Sequence, residues 1–419
     1  MALLVAFTLI ILAFLCYRIY RSWLFPPALY SLVWATILVL TVTVRYRGFV
    51  LSNGSVLVFT IGCLSFVSGS LLIAQYFSRR ALPTQVLPQR ERFIRILIIT
   101  YAIGLLFLVP FFITAIEEAG RRLGISQFAF AARFALGLTD RGGIPRYFLS
   151  LCSIGSVLAF CMAWLYDGSR RDKLMLALAV VAPLSMYSLT FSRSPVFALI
   201  IGVIAILAFR RAVKPFVMAI GVAATLALTL IMGASLGKGP DFTSGSNAVV
   251  AAADNLLAYY AGGPLGFDQV MYSPESVGEK GLSLRFFTQA ARSLGAEIRL
   301  PSNVLDYFSG DLGNVYTIYF AYWLDWSWLG IIVIPILGGC GSTMIYVFAR
   351  RGNPIAGVAL APLIGSIVNS PIGDGLFSSL IPWLLIVALT WLLWYAPLPG
   401  VPSRKVYSRR ITRKLFRLR

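Results

Sequence analysis

Eleven apolar stretches of membrane-spanning length limit this chain to one broad class of fold. A helix needs about 20 apolar residues to cross a bilayer. The predicted spans cover residues 2–17, 24–44, 55–76, 96–115, 148–166, 174–190, 195–209, 216–235, 327–349, 355–370 and 376–395. Because 58% of the 419 residues are hydrophobic and only 12% are charged, a soluble globular protein is excluded. The sequence therefore predicts an all-α polytopic membrane protein with about 11 transmembrane helices.

The charges of the connecting segments predict the orientation of these spans. One alternate set of connections, with the C-terminal tail, holds 23 of the 36 lysines and arginines but only 3 of the 16 acidic residues. Basic connections favour the cytoplasmic side, so we predict an outside N-terminus and an inside C-terminus. The apolar run from Ala2 has no basic region before it, and we expect it to be a retained first span. The net charge of +20 follows from this topology, so we expect no nucleic-acid partner.

The same pattern predicts four regions along the chain. Residues 1–236 hold the first eight helices, with an outward loop at 116–147. Residues 237–326 form a large outward loop, 327–396 hold the last three helices, and 397–419 form a basic cytoplasmic tail. The large loop is the longest segment without a predicted span. Most polar groups available for chemistry therefore lie in it, including the stretch AYYAGGPLGFD, which we interpret as a turn.

Histidine is missing from the sequence, which removes the commonest metal ligand and the usual general base at neutral pH. The five cysteines lie in or at the ends of apolar spans and have no CxxC spacing. We therefore expect no metal, no other cofactor and no disulfide framework. Acid–base chemistry is left to carboxylates and tyrosines.

Arginines in the outward segments are the candidate phosphate ligands. Arg285, Arg292 and Arg299 are spaced by seven in LSLRFFTQAARSLGAEIRL, so a helix would align them in one stripe, provided that Gly295 does not break it. A guanidinium binds phosphate oxygens through a planar fork and stays charged. Such a stripe suits a lipid diphosphate, or alternatively an interfacial amphipathic helix whose arginines meet ordinary headgroups.

Further arginines lie in the shorter outward segments. Arg193 stands in SRSP between two apolar runs, where a charge is costly unless it is paired or serves a site. The first outward loop adds Arg133 and Arg146. We interpret all three as candidate ligands for an anionic substrate.

The candidate acid–base residues are Asp306 and Asp311, which flank YFSG in LDYFSGDLGN. A glycine-bounded turn there could bring a carboxylate to a substrate hydroxyl. Either aspartate could instead cap the following helix or pair with an arginine. The next run, NVYTIYFAYWLDWSW, is dense in tyrosine and tryptophan, which is typical both of an interfacial aromatic belt and of a surface that binds sugars.

Three segments together resemble a known family. They are TFSRSPVFALIIGV around Arg193, AYYAGGPLGFD, and GNVYTIYFAYWLDWSWLGIIVIP, with its Asn-x-Tyr-Thr, its aromatic run and its Asp-x-x-x-x-Gly. They resemble the oligosaccharide repeat-unit (Wzy-type O-antigen) polymerases of bacterial envelopes. The number of spans, the layout of charges and the large outward loop before the last spans are also similar.

The resemblance implies a membrane glycosyltransferase of the GT-C type in the bacterial inner membrane, active on the periplasmic face. Its substrates would be undecaprenyl-diphosphate-linked oligosaccharides, with undecaprenyl diphosphate as the leaving group. The implied products are O-antigen of lipopolysaccharide or a similar surface polysaccharide. Membrane lipids are expected partners, and docking of a polysaccharide chain-length regulator stays open.

Under this interpretation each candidate residue has a role. Fixed positive charge stabilises a departing diphosphate, and a carboxylate can take the proton of the acceptor hydroxyl. Asp306 or Asp311 would assist the acceptor as the catalytic carboxylate. The expected substrate-binding residues are Arg193, Arg285, Arg292, Arg299, Arg133, Arg146, Tyr260, Asn314 and Tyr316.

Three other functions remain open at this point. A flippase for the same lipid-linked units would have a similar size and basicity, but it needs charged groups along its spans, and these are nearly absent here. An O-antigen ligase-like transferase is disfavoured, because related ligases typically depend on a histidine in the large outward loop. A non-catalytic assembly protein would show no turnover.

Overall fold

The computed structural model describes residues 1–44, 50–77, 88–122, 144–189, 193–212, 214–234, 248–272, 305–307, 311–313, 316–376 and 380–396, with isolated positions within 124–132 and 281–296. The described chain is α-helical apart from one short β-ladder. Its helices are α1 (Ala2–Tyr20), α2 (Pro26–Val44), α3 (Asn53–Phe77), α4 (Pro88–Arg122), α5 (Ile144–Leu165), α6 (Arg170–Leu189), α7 (Arg193–Phe209), α8 (Pro215–Ala234), α9 (Ala248–Tyr272), α10 (Tyr319–Arg350), α11 (Pro354–Val368) and α12 (Leu380–Tyr395).

Six of the described helices, α1, α2, α3, α4, α6 and α10, are long and apolar enough to cross a membrane. Shorter apolar helical stretches lie within α5, α7, α8, α11 and α12. Each of the eleven predicted spans thus falls on one of these helices, and the chain is an α-helical multi-pass membrane protein. Helices α1 and α4 expose large apolar side chains, such as Phe7 and Phe107, which agrees with the same conclusion.

The stretch AYYAGGPLGFD was predicted to be a turn, and this prediction is wrong. It lies inside the 25-residue helix α9. Gly262, Gly263 and Pro264 suggested a break, because glycine and proline are both poor helix formers. Pro264 has no N–H, so the usual helical hydrogen bond to the carbonyl of Tyr260 is missing, yet the helix continues to Tyr272.

Helix α10 begins earlier than the predicted ninth span. It starts at Tyr319 and is interrupted at Ser327, which has φ 51° and ψ −136°. Such a positive φ is unusual for a residue other than glycine and cannot continue a helix. The predicted span, 327–349, therefore starts at this interruption. The preceding turns, Tyr319–Trp326, carry much of the aromatic run.

The chain divides into two compact units. The first consists of Met1–Arg80, Phe242–Val347 and Pro362–Trp383, and the second of Ala81–Asp241, Phe348–Ala361 and Leu384–Arg419. The first unit has an aromatic core. Trp34 packs against both Phe59 and Tyr319 with ring centroids 4.9 Å apart, and Phe59 packs against Phe267 at 5.1 Å. Aromatic side chains therefore join α2, α3, α9 and α10.

Helices α3 and α10 pack closely within the first unit. A methyl group at Gly69 would overlap the carbonyl oxygen of Ile336. Ser70 donates a hydrogen bond of 3.2 Å to the carbonyl of Gly339, and the thiol of Cys340 lies 3.3 Å from the carbonyl of Gly69. Small residues let the two backbones approach, as is common between helices in membranes.

The second unit is held at one end by ionic contacts. Arg95 of α4 forms an ion pair of 2.6 Å with Asp172 of α6, whose side chain is fully buried. Arg210, after α7, donates to the carbonyls of Trp164 and Tyr166, the latter at 2.7 Å. Burial lowers the pKa of the Arg210 guanidinium. These contacts join the ends of α4, α5, α6 and α7.

A two-stranded antiparallel ladder joins β1 (Leu305–Tyr307) to β2 (Asp311–Gly313). In its register Asp306 is opposite Leu312, and Asp311 is opposite Tyr307. The two candidate aspartates are therefore not cross-strand partners.

Candidate functional site

One set of polar groups in the first unit lies where three segments meet. These segments are the residues before α10 with its first turn (residues 316–322), the loop after α11 (residues 369–375) and the middle of α9 (residues 262–264). The backbone N–H of Tyr316 donates to the carbonyl of Ile372 at 3.3 Å, and the N–H of Ile318 donates to the carbonyl of Ser370 at 2.8 Å. The loop is thus fixed along the residues that lead into α10.

Helix α9 completes this meeting point from the other side. The backbone of Gly263 lies against the carbonyl oxygen of Pro371, where an added methyl group would overlap it. The carbonyl belongs to the backbone and cannot move aside cheaply. Glycine is therefore required at this position, which explains why Gly263 precedes Pro264 inside a helix.

One carboxylate, Asp374, lies in this region. It is half-buried, and its Oδ1 accepts a hydrogen bond of 2.9 Å from the N–H of Leu376. The carboxylate also interacts with the hydroxyl of Tyr322, which is buried in α10. Two further hydroxyls, those of Thr317 and Ser370, are fully buried and have no hydrogen-bond partner among the described residues. We call these four residues the Asp374 cluster.

A second carboxylate, Asp325, holds the segment that follows α9. It accepts hydrogen bonds from the backbone N–H of Gly281 at 2.6 Å, from the N–H of Ser283 at 2.7 Å and from the Ser283 hydroxyl. The indole N–H of Trp326 donates to the same hydroxyl at 3.0 Å. The aspartate of the Asp-x-x-x-x-Gly motif therefore has a structural role, in binding the 281–283 segment to α10.

A third carboxylate, Asp268, binds α9 to the start of α3. It accepts hydrogen bonds from the backbone N–H of Ser52, at 3.2 Å, and from the Ser52 hydroxyl. The same hydroxyl accepts a hydrogen bond from the N–H of Ser55, which is an N-cap interaction for α3. Asp268 therefore supports the N-cap residue of α3, and its carboxylate is engaged in hydrogen bonds to that residue.

The structure describes the side chains of two of the predicted site residues. Tyr316 is half-buried and stacks on Phe320 with ring centroids 4.2 Å apart, next to the Asp374 cluster. Tyr260 is half-buried in α9, one turn before Gly263.

For four other predicted residues the structure describes the backbone. Arg193 is the first residue of α7, Arg146 lies in the first turn of α5, and Asp306 and Asp311 lie in β1 and β2. The predictions for Arg285, Arg292, Arg299, Arg133 and Asn314 lie outside the described residues.

One described turn bears on the predicted arginine stripe. Gly295 has φ 97°, and the N–H of Ala296 donates to the carbonyl of Ala291 at 3.0 Å. A bond across five residues next to a glycine of positive φ ends a helix. The helix that holds Ala291 therefore stops before Ala296, as the glycine indicated.

Asp374, Tyr322, Thr317 and Ser370 are not among the site residues predicted from the sequence. Asp374 lies in NSPIGDG, between two predicted spans, and the hydroxyls lie in or beside apolar runs. An aspartate bounded by glycines between two predicted spans was the available signal. Among the described residues no three His, Cys, Asp or Glu side chains are grouped as metal ligands would be.

No family model matches this chain, and neither a curated protein nor a solved structure gives a significant match to it.

Proposed function

We propose that the chain is a metal-independent membrane glycosyltransferase that polymerises undecaprenyl-diphosphate-linked oligosaccharides at the periplasmic face of the bacterial inner membrane. One observation carries the proposal. The segment on which the family resemblance is strongest, Tyr316–Asp325, is hydrogen-bonded at its start to the loop that carries Asp374. It places buried tyrosines beside a half-buried carboxylate and an aromatic face, a combination suited to a sugar.

Contacts between residues distant in the chain support eleven crossings, an odd number that would put the two termini on opposite sides of the membrane. Arg90, at the start of α4, donates to the carbonyls of Leu393, at 3.3 Å, and of Ala396, just after α12. The two ends lie on the same side only if an even number of helices crosses between them. If helices α4–α8 and α10–α12 all cross, they make eight crossings, and α9 would then not cross.

A second contact, in the other unit, also requires an even number of membrane crossings between its two residues. Asp268, near the end of α9, accepts hydrogen bonds from Ser52, just before α3. Helices α3–α8 make six crossings between these residues if α9 is not counted. Ser52 belongs to a connection that the distribution of charge assigns to the outside, so the Asp374 cluster and the 281–283 segment would face the periplasm as well.

The proposed reaction needs positive charge at the diphosphate and an acceptor for one proton. Arg193, Arg285, Arg292 and Arg299 are proposed to bind the diphosphate oxygens, with Arg133 and Arg146 as further ligands. Asp306 and Asp311 are the carboxylates that the sequence favours beside the acceptor. The oxygen of the acceptor hydroxyl bonds to the anomeric carbon of the donor, and the bond from that carbon to the diphosphate oxygen breaks.

The test is polymer formation by the purified protein in detergent, where transport cannot contribute. Lipid-linked oligosaccharide is the only substrate supplied, and product length is resolved on a gel. We expect a ladder from the natural protein. Replacing Arg193, Arg285, Arg292 and Arg299 singly by alanine should lower the rate by about 10²-fold for each donor that stabilises the transition state.

The outcomes of this test separate the candidate functions. A flippase or a non-catalytic assembly protein yields no polymer in detergent. Normal ladders from all four correctly folded arginine variants would reject the assignment of the diphosphate ligands. Size-exclusion profiles and melting temperatures control for folding of each variant.

A further inference from the structure

We propose that two turns at helix ends, those of Arg21 and Arg211, bind the phosphate of anionic phospholipid headgroups. The first turn joins α1 to α2 and the second joins α7 to α8, so each of the two units carries one. The inference goes beyond the proposed glycosyl transfer and does not depend on it. It assigns to both turns a ligand of one chemical class, a phosphodiester at the surface of the membrane.

Both arginines have a backbone conformation that is unusual for a residue with a side chain. Arg21, which ends α1, has φ 48° and ψ 42°, and Arg211, just after α7, has φ 52°. Ser327 is the only other non-glycine residue with a positive φ in the described part of the chain. This left-handed region is unfavourable for a residue with a Cβ atom, and glycine usually occupies it at the end of a helix. The chain therefore has arginine where the backbone favours glycine.

A turn elsewhere in the chain shows that this backbone does not need arginine. The N–H groups of Arg211 and of the next residue donate to two carbonyls in the last turn of α7, at 3.0 and 2.9 Å. After α10 the N–H groups of Gly352 and of the next residue make the same two bonds, at 2.8 and 3.0 Å, and Gly352 has φ 80°. The two turns have the same hydrogen-bonding pattern, and glycine suffices in one of them. We therefore look for the reason for arginine in its side chain.

The side chains of these turns carry positive charge that the protein does not neutralise locally. Arg21 and Arg211 are exposed, and neither guanidinium has a hydrogen bond or an ion pair among the described residues. A second exposed cation lies close to each in the chain, Arg18 in the last turn of α1 and Lys214 before α8. Positions 18–25 and 210–215 contain no acidic residue. Each turn is therefore suited to an anionic partner from outside the protein.

Exposed aromatic side chains favour a lipid as that partner. Phe14 is exposed on α1, which is long enough to cross a membrane. Trp23, just after the first turn, is exposed and stacks on Tyr17 with ring centroids 4.5 Å apart. Phe216, at the start of α8, is exposed beside the second turn. Tryptophan and tyrosine are enriched at the level of the lipid headgroups, where an adjacent guanidinium meets phosphate.

The chemistry of the headgroup decides which lipid fits. A guanidinium donates two parallel hydrogen bonds to phosphate oxygens and stays charged. The phosphate of phosphatidylglycerol leaves that headgroup negative, whereas the ammonium group of phosphatidylcholine cancels the same charge. Because the cations of each turn have no acidic residue in the same connection, we expect both turns to select the anionic lipid.

Lipid titration of the full-length protein tests the inference. The natural protein in a neutral detergent is titrated with phosphatidylglycerol or phosphatidylcholine, and the melting temperature at each concentration gives an apparent Kd. We expect phosphatidylglycerol to raise the melting temperature more than phosphatidylcholine, and this preference should weaken at high salt.

Arg21→Gly and Arg211→Gly are the decisive substitutions, because each removes the charge and suits the backbone better. Without lipid their melting temperatures should equal or exceed that of the natural protein. Their apparent Kd for phosphatidylglycerol should rise about fivefold, as expected for the loss of one cation at a membrane surface. A variant that is stable without lipid but binds lipid weakly separates binding from folding.

Two further variants are the controls. Arg211→Lys keeps the charge and the unfavourable backbone, so it should keep most of the affinity for phosphatidylglycerol. Arg122→Ala removes an exposed guanidinium that already forms an ion pair with Glu118, and it should keep the natural Kd.

Three outcomes would overturn the inference. The first is a natural affinity for phosphatidylglycerol in both glycine variants. The second is a lower melting temperature of these variants without lipid, since the arginines would then have a role within the protein. The third is an equal stabilisation by inorganic phosphate, lost in the same variants, which would identify the ligand as a soluble anion.

Discussion

The hydroxyl of Tyr30 donates a hydrogen bond of 2.7 Å to the hydroxyl of Tyr319, and both side chains are buried. The two residues are far apart in the chain, in α2 and α10. Tyr319 also packs against Trp34, and Tyr30 stacks on Phe66 with centroids 4.1 Å apart. This pair therefore fixes the first turn of α10, from which Tyr322 reaches Asp374.

Breaking this pair on one side should destabilise the protein. In Tyr319→Phe the hydroxyl of Tyr30 loses its acceptor, and we expect a loss of about 1–3 kcal/mol in the free energy of unfolding. The double variant Tyr30→Phe/Tyr319→Phe removes both polar groups and should lie closer to the natural protein. Unfolding in a denaturing detergent measures all three variants. Equal, additive losses from the two single changes would show that the hydroxyls do not interact.

The helices of this fold could be predicted from the sequence because the bilayer imposes their length and apolarity. The position of Gly263 inside a helix, and the reason for glycine there, could not be predicted. Its local sequence, Gly262–Gly263–Pro264, is typical of a turn, and the reason for glycine is a contact with Pro371, a residue distant in the chain. Asp374 escaped prediction for the same reason, since its interaction with Tyr322 depends on how a loop pairs with the start of another helix.

The neighbouring glycines of α9 provide a matched test of this contact. Gly263→Ala places a methyl group against the backbone carbonyl of Pro371, whereas Gly262→Ala meets no heavy atom within 4 Å. We expect Gly263→Ala to lower the melting temperature and to displace the loop that carries Asp374. Gly262→Ala should be neutral or stabilising, by up to about 1 kcal/mol, because alanine favours a helix. Identical melting curves for the two variants would contradict the close approach.

The ion pair of the second unit predicts unequal effects for two acids that face the same arginine. Arg95 lies 2.6 Å from the buried Asp172 and 3.9 Å from the half-exposed Glu91. Asp172→Asn leaves a mostly buried guanidinium without its main counter-charge and should cost on the order of 3 kcal/mol. Glu91→Gln removes only a weak surface pair, and its cost should stay below about 0.5 kcal/mol.

Thermal unfolding of the purified variants, with Arg95→Ala and the double variant Arg95→Ala/Asp172→Asn, completes a cycle for this pair. A similar melting temperature for Asp172→Asn and Glu91→Gln would refute the assigned difference in burial.

Labelling of introduced cysteines tests the orientation on which the proposed reaction depends. Four of the five natural cysteines are buried and Cys340 is partly so, which keeps the background low. Gln269, exposed on α9 next to Asp268, should react in Gln269→Cys with a membrane-impermeant maleimide added to intact cells with a permeable outer membrane. Lys214, exposed before α8, should react in Lys214→Cys only after the inner membrane is opened. The opposite pattern would place the Asp374 cluster in the cytoplasm and would contradict the proposed periplasmic reaction.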